Sequence, residues 1–327
     1  MKSVFFLLAL LVAALFVASL LIGPAGIGFG DSLAALFRGE GGPVVLVMRE
    51  IRLPRAILGL LAGAALGLSG AAMQGYLRNP LAEPGLIGVS ASAALGAVIA
   101  LQTGAAAAVA LALPLSALAG AGIAVALILL LAGPRGGALA LILAGIAISA
   151  LAAALMSLVL NLSPNPFAGM EIVYWMMGSL ADRSMTHVAL AAPFILGGGL
   201  VLLSLGRGLD ALTLGEDAAQ SLGVNLPRLR LGVILGTAAT VGAATAVAGA
   251  VGFIGLVVPH LLRRLVGARP SALLPASALG GAAMLLAADI GTRLIAPDAD
   301  LKLGVLTALV GAPFFLQLIW SMRRVEA

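Results

Sequence analysis

The sequence predicts an all-α polytopic membrane protein with about ten transmembrane helices, built as a single domain over residues 1–327. Apolar residues make up 62% of the chain and its mean hydropathy is +1.18, which is more than a soluble protein could bury. Runs of about 20 apolar residues recur, the length that an α-helix needs to cross the hydrocarbon core. The 43 glycines favour helices that pack closely in lipid.

The predicted helices correspond to apolar segments at 4–22, 56–76, 86–101, 105–131, 138–161, 187–206, 229–250, 252–267, 271–295 and 303–321. The first segment is predicted to be a membrane helix, because its apolar run is longer than the roughly 7–15 residues of a signal-peptide core. The eighth is the weakest of the set, since it is short, contains Pro259 and runs into Arg263 and Arg264. Whether it crosses the membrane is left open by the sequence.

The charge of the loops predicts the orientation. Ten crossings put both termini on one side, and the loops on that side carry more lysine and arginine than the opposite loops. Because positive loops face the cytoplasm, both termini are predicted to be cytoplasmic. The net charge of +5 has the same explanation, and nucleic-acid binding is not expected.

An internal repeat links the second and seventh segments. At one constant offset, Gly63-Ala64-Ala65 recurs as Gly242-Ala243-Ala244, and Gly70-Ala71 recurs as Gly249-Ala250. At the same offset, two further matches are Leu77 with Leu256 and Pro80 with Pro259. Five segments separate the copies, so they would have opposite orientations. The sequence therefore predicts an inverted repeat of helices 2–5 and 7–10, an arrangement that is typical of transporters.

Several chemistries are excluded by composition. The chain has no cysteine and two histidines, His187 and His260, so thiol chemistry is absent and a multi-histidine metal site is not expected. Its two lysines, Lys2 and Lys302, do not lie in a GxxxxGK[ST] motif, so no Walker-type ATP site is predicted. An intramembrane enzyme is disfavoured, because no acid cluster or Ser/His pair converges. We expect no cofactor or metal in this chain.

Charged residues concentrate in 207–230, between the sixth and seventh segments, and we call this range the polar insert. Residues 214–222 predict a short helix with Glu216 and Asp217 in its first turn, where the helix dipole favours acids. Gly223 is a suitable C-terminal stop. A water-exposed insert with this helix chemistry is predicted to dock a soluble partner.

Arginines on the predicted outer side need a reason, because they oppose the orientation rule. Arg52 and Arg55 flank Pro54, just before the second segment, and Arg293 ends the ninth. Snorkelling would explain any one of them. The pair beside a rigid proline favours instead a site for a carboxylate-bearing partner.

Acids near the apolar segments are predicted to be structural. Asp289 lies four residues before Arg293, which favours a local ion pair over an ion-coupling site. The segment Arg78–Gly85 contains two prolines and interrupts the helix. Asn79 and Glu83 are expected to satisfy backbone groups there.

Six motifs in order resemble the permease subunits of ABC importers for iron chelates, haem and vitamin B12, the FecCD-type family. They are RLPR followed by GAALGLSGAAMQGYLRNPLAEPGLIGVSASAALGA, YWMMGSL, LGEDAAQSLGV, GFIGLVVPHLLRRLVG, LLPASALGGAAMLLAADIGTR and GVLTALVGAPFFLQLI. The resemblance spans about residues 45–322, and it is close to the permeases that import vitamin B12.

The resemblance implies a homodimer in the bacterial inner membrane, with cytoplasmic ATPase subunits that hold ATP and Mg, and a periplasmic substrate-binding protein. It implies that Arg52, Arg55 and Arg293 grip glutamates of the binding protein, and that Arg135, Gly136, Gly137 and Ala138 form a cytoplasmic gate. The implied ATPase-coupling residues are Leu214, Gly215, Glu216, Asp217, Ala218, Ala219, Gln220, Ser221, Leu222, Gly223 and Val224. One departure is Lys302, where the family has a proline before the last helix.

The predicted function is therefore the membrane subunit of an importer for a metal chelate, which could be a ferric siderophore, haem or cobalamin. Iron chelates are favoured on the breadth of the family. The alternative is a secondary transporter driven by an ion gradient, which suits the inverted repeat but not the scarcity of intramembrane acids.

Overall fold

The computed structural model describes residues 1–23, 25–39, 42–109, 111–133, 136–163, 166–296 and 301–326. Every regular element in these ranges is helical, which confirms the all-α prediction. In chain order the elements are α1 Lys2–Leu21, α2 Phe29–Phe37, α3 Pro43–Leu46, a π-helical turn Val47–Arg52, α4 Leu53–Leu77, a 3₁₀ turn Pro84–Ile87, α5 Val89–Gln102, α6 Ala105–Ala108, α7 Ala112–Ala132, α8 Ala138–Asn161, α9 Pro166–Met176, α10 Met185–Ser204, α11 Gly206–Leu212, α12 Glu216–Ser221, α13 Leu226–Ala248, α14 Ile254–Arg263, α15 Pro270–Ile295 and α16 Leu303–Glu326.

Each of the ten predicted segments overlaps a helix, and segment 105–131 is divided between α6 and α7. Within the described ranges, seven helices are long and apolar enough to cross a membrane, namely α1, the continuous Pro43–Leu77, α7, α8, α10, α13 and α15. Shorter apolar helices are α5, α14 and the Leu303–Leu318 part of α16. The 10 residues of α14 rise only about 15 Å, half the hydrocarbon thickness, so the eighth segment does not cross as a helix by itself. Ten crossings remain a prediction.

The centre of the bundle is formed by α4 and α13, the two copies of the predicted repeat. Small residues let neighbouring backbones approach α4 closely. A Cβ atom on Gly67 would overlap the carbonyl oxygen of Ser277 in α15, and one on Gly70 would overlap the carbonyl oxygen of Gly255 in α14. Because side chains are absent at these crossings, backbone contact between helices replaces side-chain packing.

The matched glycines of the predicted repeat both lie in long helices, and the inverted repeat itself stays a prediction. Gly63 of α4 lies against α15, whereas a Cβ on the matching Gly242 of α13 would lie 2.7 Å from Ala121 in α7. Some matched residues beyond them differ in local structure. Pro80 lies in the turn after α4, while Pro259 lies inside α14.

The divergence has a local cause at Gly249, where α13 ends. Gly249 has a φ of +73°, and a Cβ there would lie 2.5 Å from the carbonyl oxygen of Trp175. The first copy continues as helix to Leu77 instead. Residues that match at the constant offset therefore lie in different local structures beyond Gly249.

Polar side chains secure the breaks, as predicted. Asn79 accepts a hydrogen bond from the backbone N–H of Leu81 (2.9 Å), and Glu83 accepts one from the backbone N–H of Phe253 (3.2 Å). Phe253 has a φ of +68° and caps α14. Burial raises the pKa of the Glu83 carboxyl, and the bond from Phe253 opposes this rise. Glu83 thus joins the turn after α4 to the start of α14.

Replacing Gly67 with alanine is expected to lower the free energy of unfolding by about 1–3 kcal/mol, because the new methyl group overlaps backbone that cannot rotate away. Gly197→Ala in α10 is the matched control, since nothing lies within 4 Å of its Cβ position. Thermal unfolding of both variants in detergent gives the comparison. Equal midpoints for the two variants would contradict the close contact of α4 with α15.

Candidate functional site

The polar insert forms a compact helical element at one end of the bundle. The predicted short helix is present as α12, with Glu216 and Asp217 in its first turn. Gly223 ends it with a φ of +85°, and its N–H donates to the carbonyl of Gln220 (2.8 Å). The N–H of Val224 donates to the carbonyl of Ala219 (3.0 Å). These paired bonds are the Schellman arrangement, which confirms the predicted helix stop.

The insert is fastened to two long helices. The carboxylate of Asp210 in α11 accepts hydrogen bonds from the N–H (2.8 Å) and hydroxyl (2.6 Å) of Ser271, in the first turn of α15. The side chain of Asn225 accepts from the N–H of Arg228 (3.0 Å) and caps α13. Since Ala219 is buried and Val224 packs on the core, displacement of α12 would move α13 and α15 with it.

The outer surface of α12 is partly apolar. Leu214 and Leu222 flank the helix with 69% and 65% of their surfaces exposed, while Glu216 and Asp217 are exposed beside them. Exposed leucines rimmed by charge are typical of a docking surface. The structure thus brings the predicted residues 214–224 together in one element.

The residues predicted to form a gate lie beside the polar insert. Arg135 is outside the described residues. Gly137 caps α8, which starts at Ala138. A cavity of about 240 Å³ lies between α12 and the glycines Gly136 and Gly137, and its wall is completed by Tyr76, Leu212, Glu216, Gln220, Leu226, Pro227 and Arg230.

Arg230 lies in the first turns of α13 and is buried, with 6% of its surface exposed. Its guanidinium donates hydrogen bonds to the carbonyls of Ala132 (3.2 Å), Gly133 (3.0 Å) and Gly136. A signal existed in the sequence, because Arg230 shares the buried face of α13 with Val233 and Ile234. Burial of that face by α7 could not be known without the fold.

Two of the three predicted docking arginines, Arg55 and Arg293, converge on one acid. Asp289 is buried and forms salt bridges with Arg55 (2.9 Å) and Arg293 (2.7 Å). The pair with Arg293 confirms the prediction from helical spacing. Arg55 is 234 residues away in sequence, so its part in the cluster could not be read from spacing.

Arg52 and Arg293 also hold the C-terminal end of α1. Arg52 donates to the carbonyls of Leu20 (3.0 Å) and Leu21 (2.9 Å), and Arg293 donates to the carbonyl of Ser19 (2.9 Å). These carbonyls lack helical partners. Arg52 is 4% exposed, and the side chains of Arg293 and Arg55 are 7% and 19% exposed. Arg55 is therefore the most accessible of the three.

Lys302 stands where the resemblance implies a proline, between Leu301 and Leu303, which line one cavity with Arg55, Asp289 and Arg293. Its ammonium lies 5.3 Å from the ring centroid of Tyr174. The following backbone is held without a proline, since the N–H groups of Leu303 and Gly304 donate to the carbonyls of Gly178 (3.0 Å) and Met177 (2.9 Å).

Within the described ranges, no group of three or more acidic, histidine or cysteine residues is placed to hold a metal ion.

Asp289→Asn is expected to lower the free energy of unfolding by about 3 kcal/mol, because it leaves two guanidinium groups without their buried counter-charge. The value is at the lower end of the usual range, since Arg55 keeps some contact with solvent. Glu50→Gln at an exposed outer acid is the control and should change stability by less than about 0.5 kcal/mol. Chemical denaturation in detergent measures both, and equal effects would contradict a structural role for Asp289.

Known proteins resemble this chain over nearly its whole length. The cobalamin import permease BtuC of Halobacterium salinarum is 40% identical over 278 residues, covering 84% of this chain and 73% of that protein. The hemin transport permease HmuU of Yersinia pestis is 39% identical, over 84% of this chain and 83% of its own. The ferric dicitrate transport permease FecD of Escherichia coli is 40% identical, over 85% and 86%.

The fold agrees with these relatives. A solved structure described as an inward-facing conformation of a putative metal-chelate type ABC transporter superimposes with a TM-score of 0.87. It is 34% identical and covers 98% of this chain and 100% of its own. The model of the FecCD transport family matches residues 10–321. The chain belongs to the FecCD transport family and is a transmembrane permease of an ABC importer.

Proposed function

We propose that this chain works with separate cytoplasmic ATPase subunits and a periplasmic binding protein, and that two copies of it form the pathway for a metal chelate. The observation that carries the proposal is the polar insert, an exposed apolar and acidic surface fastened to α13 and α15. A soluble ATPase can move the membrane helices only through a surface that is rigidly attached to them. The ATPase partner would hold the ATP and Mg.

The contact with the ATPase is assigned to residues 214–224. Leu214 and Leu222 would fill an apolar cleft on the ATPase. The charges of Glu216 and Asp217 would orient the ATPase on this surface. Movement of α12 would pass to α13 through Val224 and to α15 through Asp210 and Ser271. Movement of α13 and α15 between two positions would open the pathway first towards one side of the membrane and then towards the other.

The contact with the binding protein is assigned to the outer arginine cluster. Arg55 is its most exposed member, and its guanidinium already has a carboxylate partner in Asp289. An acidic group of the binding protein would add a second carboxylate to Arg55. Arg52 and Arg293 would contribute positive charge while they hold α1 in place.

The location that suits this assembly is the bacterial inner membrane, with both termini and the polar insert in the cytoplasm. Gly136 and Gly137 would then lie at the cytoplasmic end of the pathway, with Arg135 and Ala138, as a gate. Substrates named for the relatives are cobalamin, hemin and ferric citrate. A metal chelate of this class is the proposed substrate.

An ion-gradient mechanism has less support. Asp289 is the acid most deeply placed in a long apolar helix, and two arginines occupy its carboxylate. A carboxylate held in this way is poorly suited to bind and release a proton. Glu83 accepts a hydrogen bond from the backbone N–H of Phe253.

The decisive experiment compares two energy sources in proteoliposomes that contain the chain. Radiolabelled cyanocobalamin, haemin and ferric citrate serve as probes, each with the cognate binding protein. Uptake is expected with the ATPase subunit and ATP, and not with a proton or sodium gradient alone. Uptake that follows the gradient without the ATPase would reject the proposal.

Leu222→Asp is expected to reduce recovery of the ATPase subunit with the chain by at least about tenfold, because it places a charge in the proposed apolar contact. Leu265→Asp is the control, since Leu265 is also an exposed leucine on the predicted cytoplasmic side but lies outside the polar insert. Co-purification and binding-protein-stimulated ATP hydrolysis measure the effect. Equal recovery for the two variants would remove α12 from the interface.

Arg55→Gln is expected to weaken capture of the binding protein by about tenfold, in the range of one lost charge-assisted contact. Arg38→Gln, at an exposed arginine on the predicted outer side, should have a smaller effect. Biolayer interferometry with the chain in nanodiscs gives both affinities, and the loss should shrink as salt is raised. Unchanged affinity of the Arg55 variant would place the docking site elsewhere.

A further inference from the structure

Arg230 connects three helices through one side chain. It lies in the first turns of α13, directly after the residues assigned to ATPase docking. Its guanidinium reaches the carbonyls of Ala132 and Gly133, at the end of α7, and of Gly136, just before the cap of α8. The ends of α7 and α8 are therefore both bonded to the start of α13.

The environment of Arg230 differs from that of the outer arginines around Asp289. No carboxylate forms a salt bridge with it among the described residues, and its Nε atom is buried without a hydrogen-bond partner. Its charge is stabilised instead by backbone carbonyls at the negative end of the α7 dipole. A guanidinium is suited to this role, because its rigid fork can hold several acceptors at once.

The backbone around these carbonyls is built for a close approach. Gly133 has a φ of +60°, and a Cβ on Gly136 would overlap the carbonyl oxygen of Ala132. Glycines therefore allow the two helix ends to come within reach of one side chain. Substitution of either glycine would push the carbonyls apart.

The cavity of about 240 Å³ explains why such a link is needed. It lies between α12 and the start of α8, and Glu216 and Gln220 line it on one side while Gly136 and Gly137 line it on the other. Across this space α12 does not press on α8 directly. A displacement of α12 reaches the helix ends through α13 and the bonds of Arg230.

We propose that Arg230 is a positioning residue that carries movements of the polar insert to the paired ends of α7 and α8. This inference rests on the proposed function, in which an ATPase moves the insert. A shift of α13 would pull the three bonded carbonyls with it, so that the two helix ends and α13 move as one unit. Without the guanidinium, α13 would move while α7 and α8 lag behind.

The test uses the full complex of chain, ATPase subunit and binding protein in proteoliposomes. Arg230→Ala is expected to keep ATPase recovery and stimulated ATP hydrolysis near the wild-type values. It is expected to lower the amount of substrate imported per ATP hydrolysed by about five- to tenfold, within the usual range of coupling between sites. The probe is whichever of radiolabelled cyanocobalamin, haemin or ferric citrate the wild type imports. Arg264→Ala, at an exposed arginine on the predicted cytoplasmic side, should keep the wild-type ratio.

A second readout follows the movement itself. The chain has no cysteine, so spin labels can be placed on Leu139→Cys and Leu231→Cys, which replace exposed residues of α8 and α13. With Arg230 present, the distance between the labels should stay the same with and without ATP. In Arg230→Ala it should change or broaden when ATP binds.

The outcomes separate the two proposals. If the wild-type chain recovers no ATPase, the proposed function fails. If the wild type assembles and Arg230→Ala shows the wild-type uptake ratio and label distances, the role of Arg230 is overturned. If Arg230→Ala does not fold, Arg230→Lys decides, because it keeps the charge without the fork. A reduced uptake ratio in that variant supports the link, and a wild-type ratio overturns it.

Discussion

The structure depends on how the carbonyl groups at helix ends find hydrogen-bond donors. The last carbonyls of a helix have no partner within it, and lipid offers none. In the described part of the chain, five arginines supply donors at four helix ends: Arg49 reaches α2, Arg52 and Arg293 reach α1, Arg183 reaches α13 and Arg230 reaches α7. Each side chain satisfies a helix end and also fixes that end to another part of the chain.

Both proposed functional regions grow from this constraint. At the C-terminal end of α1, Arg293 binds the helix carbonyls and also pairs with Asp289, so the proposed docking site and the anchor of the first helix share a side chain. On the inner side, Arg230 holds α7 next to the polar insert. Close backbone contacts of α4 with α15 and α14 keep the centre rigid, so that movement applied at either end reaches the long helices.

Periodic and local features were readable from the sequence. The apolar segments became helices, residues 214–222 gave α12, Gly223 stopped it, and Asp289 paired with Arg293, because each depends on neighbours within a few residues. Pro80 and Pro259 match in sequence but differ in local structure. Pro80 lies in the turn after α4, whereas Pro259 lies inside α14, which follows the end of α13 at Gly249. The bond of Arg55 to Asp289 and the burial of Arg230 could not be foreseen, because their partners lie far away along the chain.

The sequence by itself determined that this protein is a helical membrane transporter, because hydropathy, composition and local motifs are properties of the chain alone. The tertiary structure decided which of its arginines remain accessible to a partner. Arg52 and Arg293 serve the end of α1, Arg230 serves α7 and α8, and Arg55 keeps the largest exposed surface of the outer cluster. The reason is geometric, since a guanidinium binds whichever acceptors the packing of distant helices brings within about 3 Å.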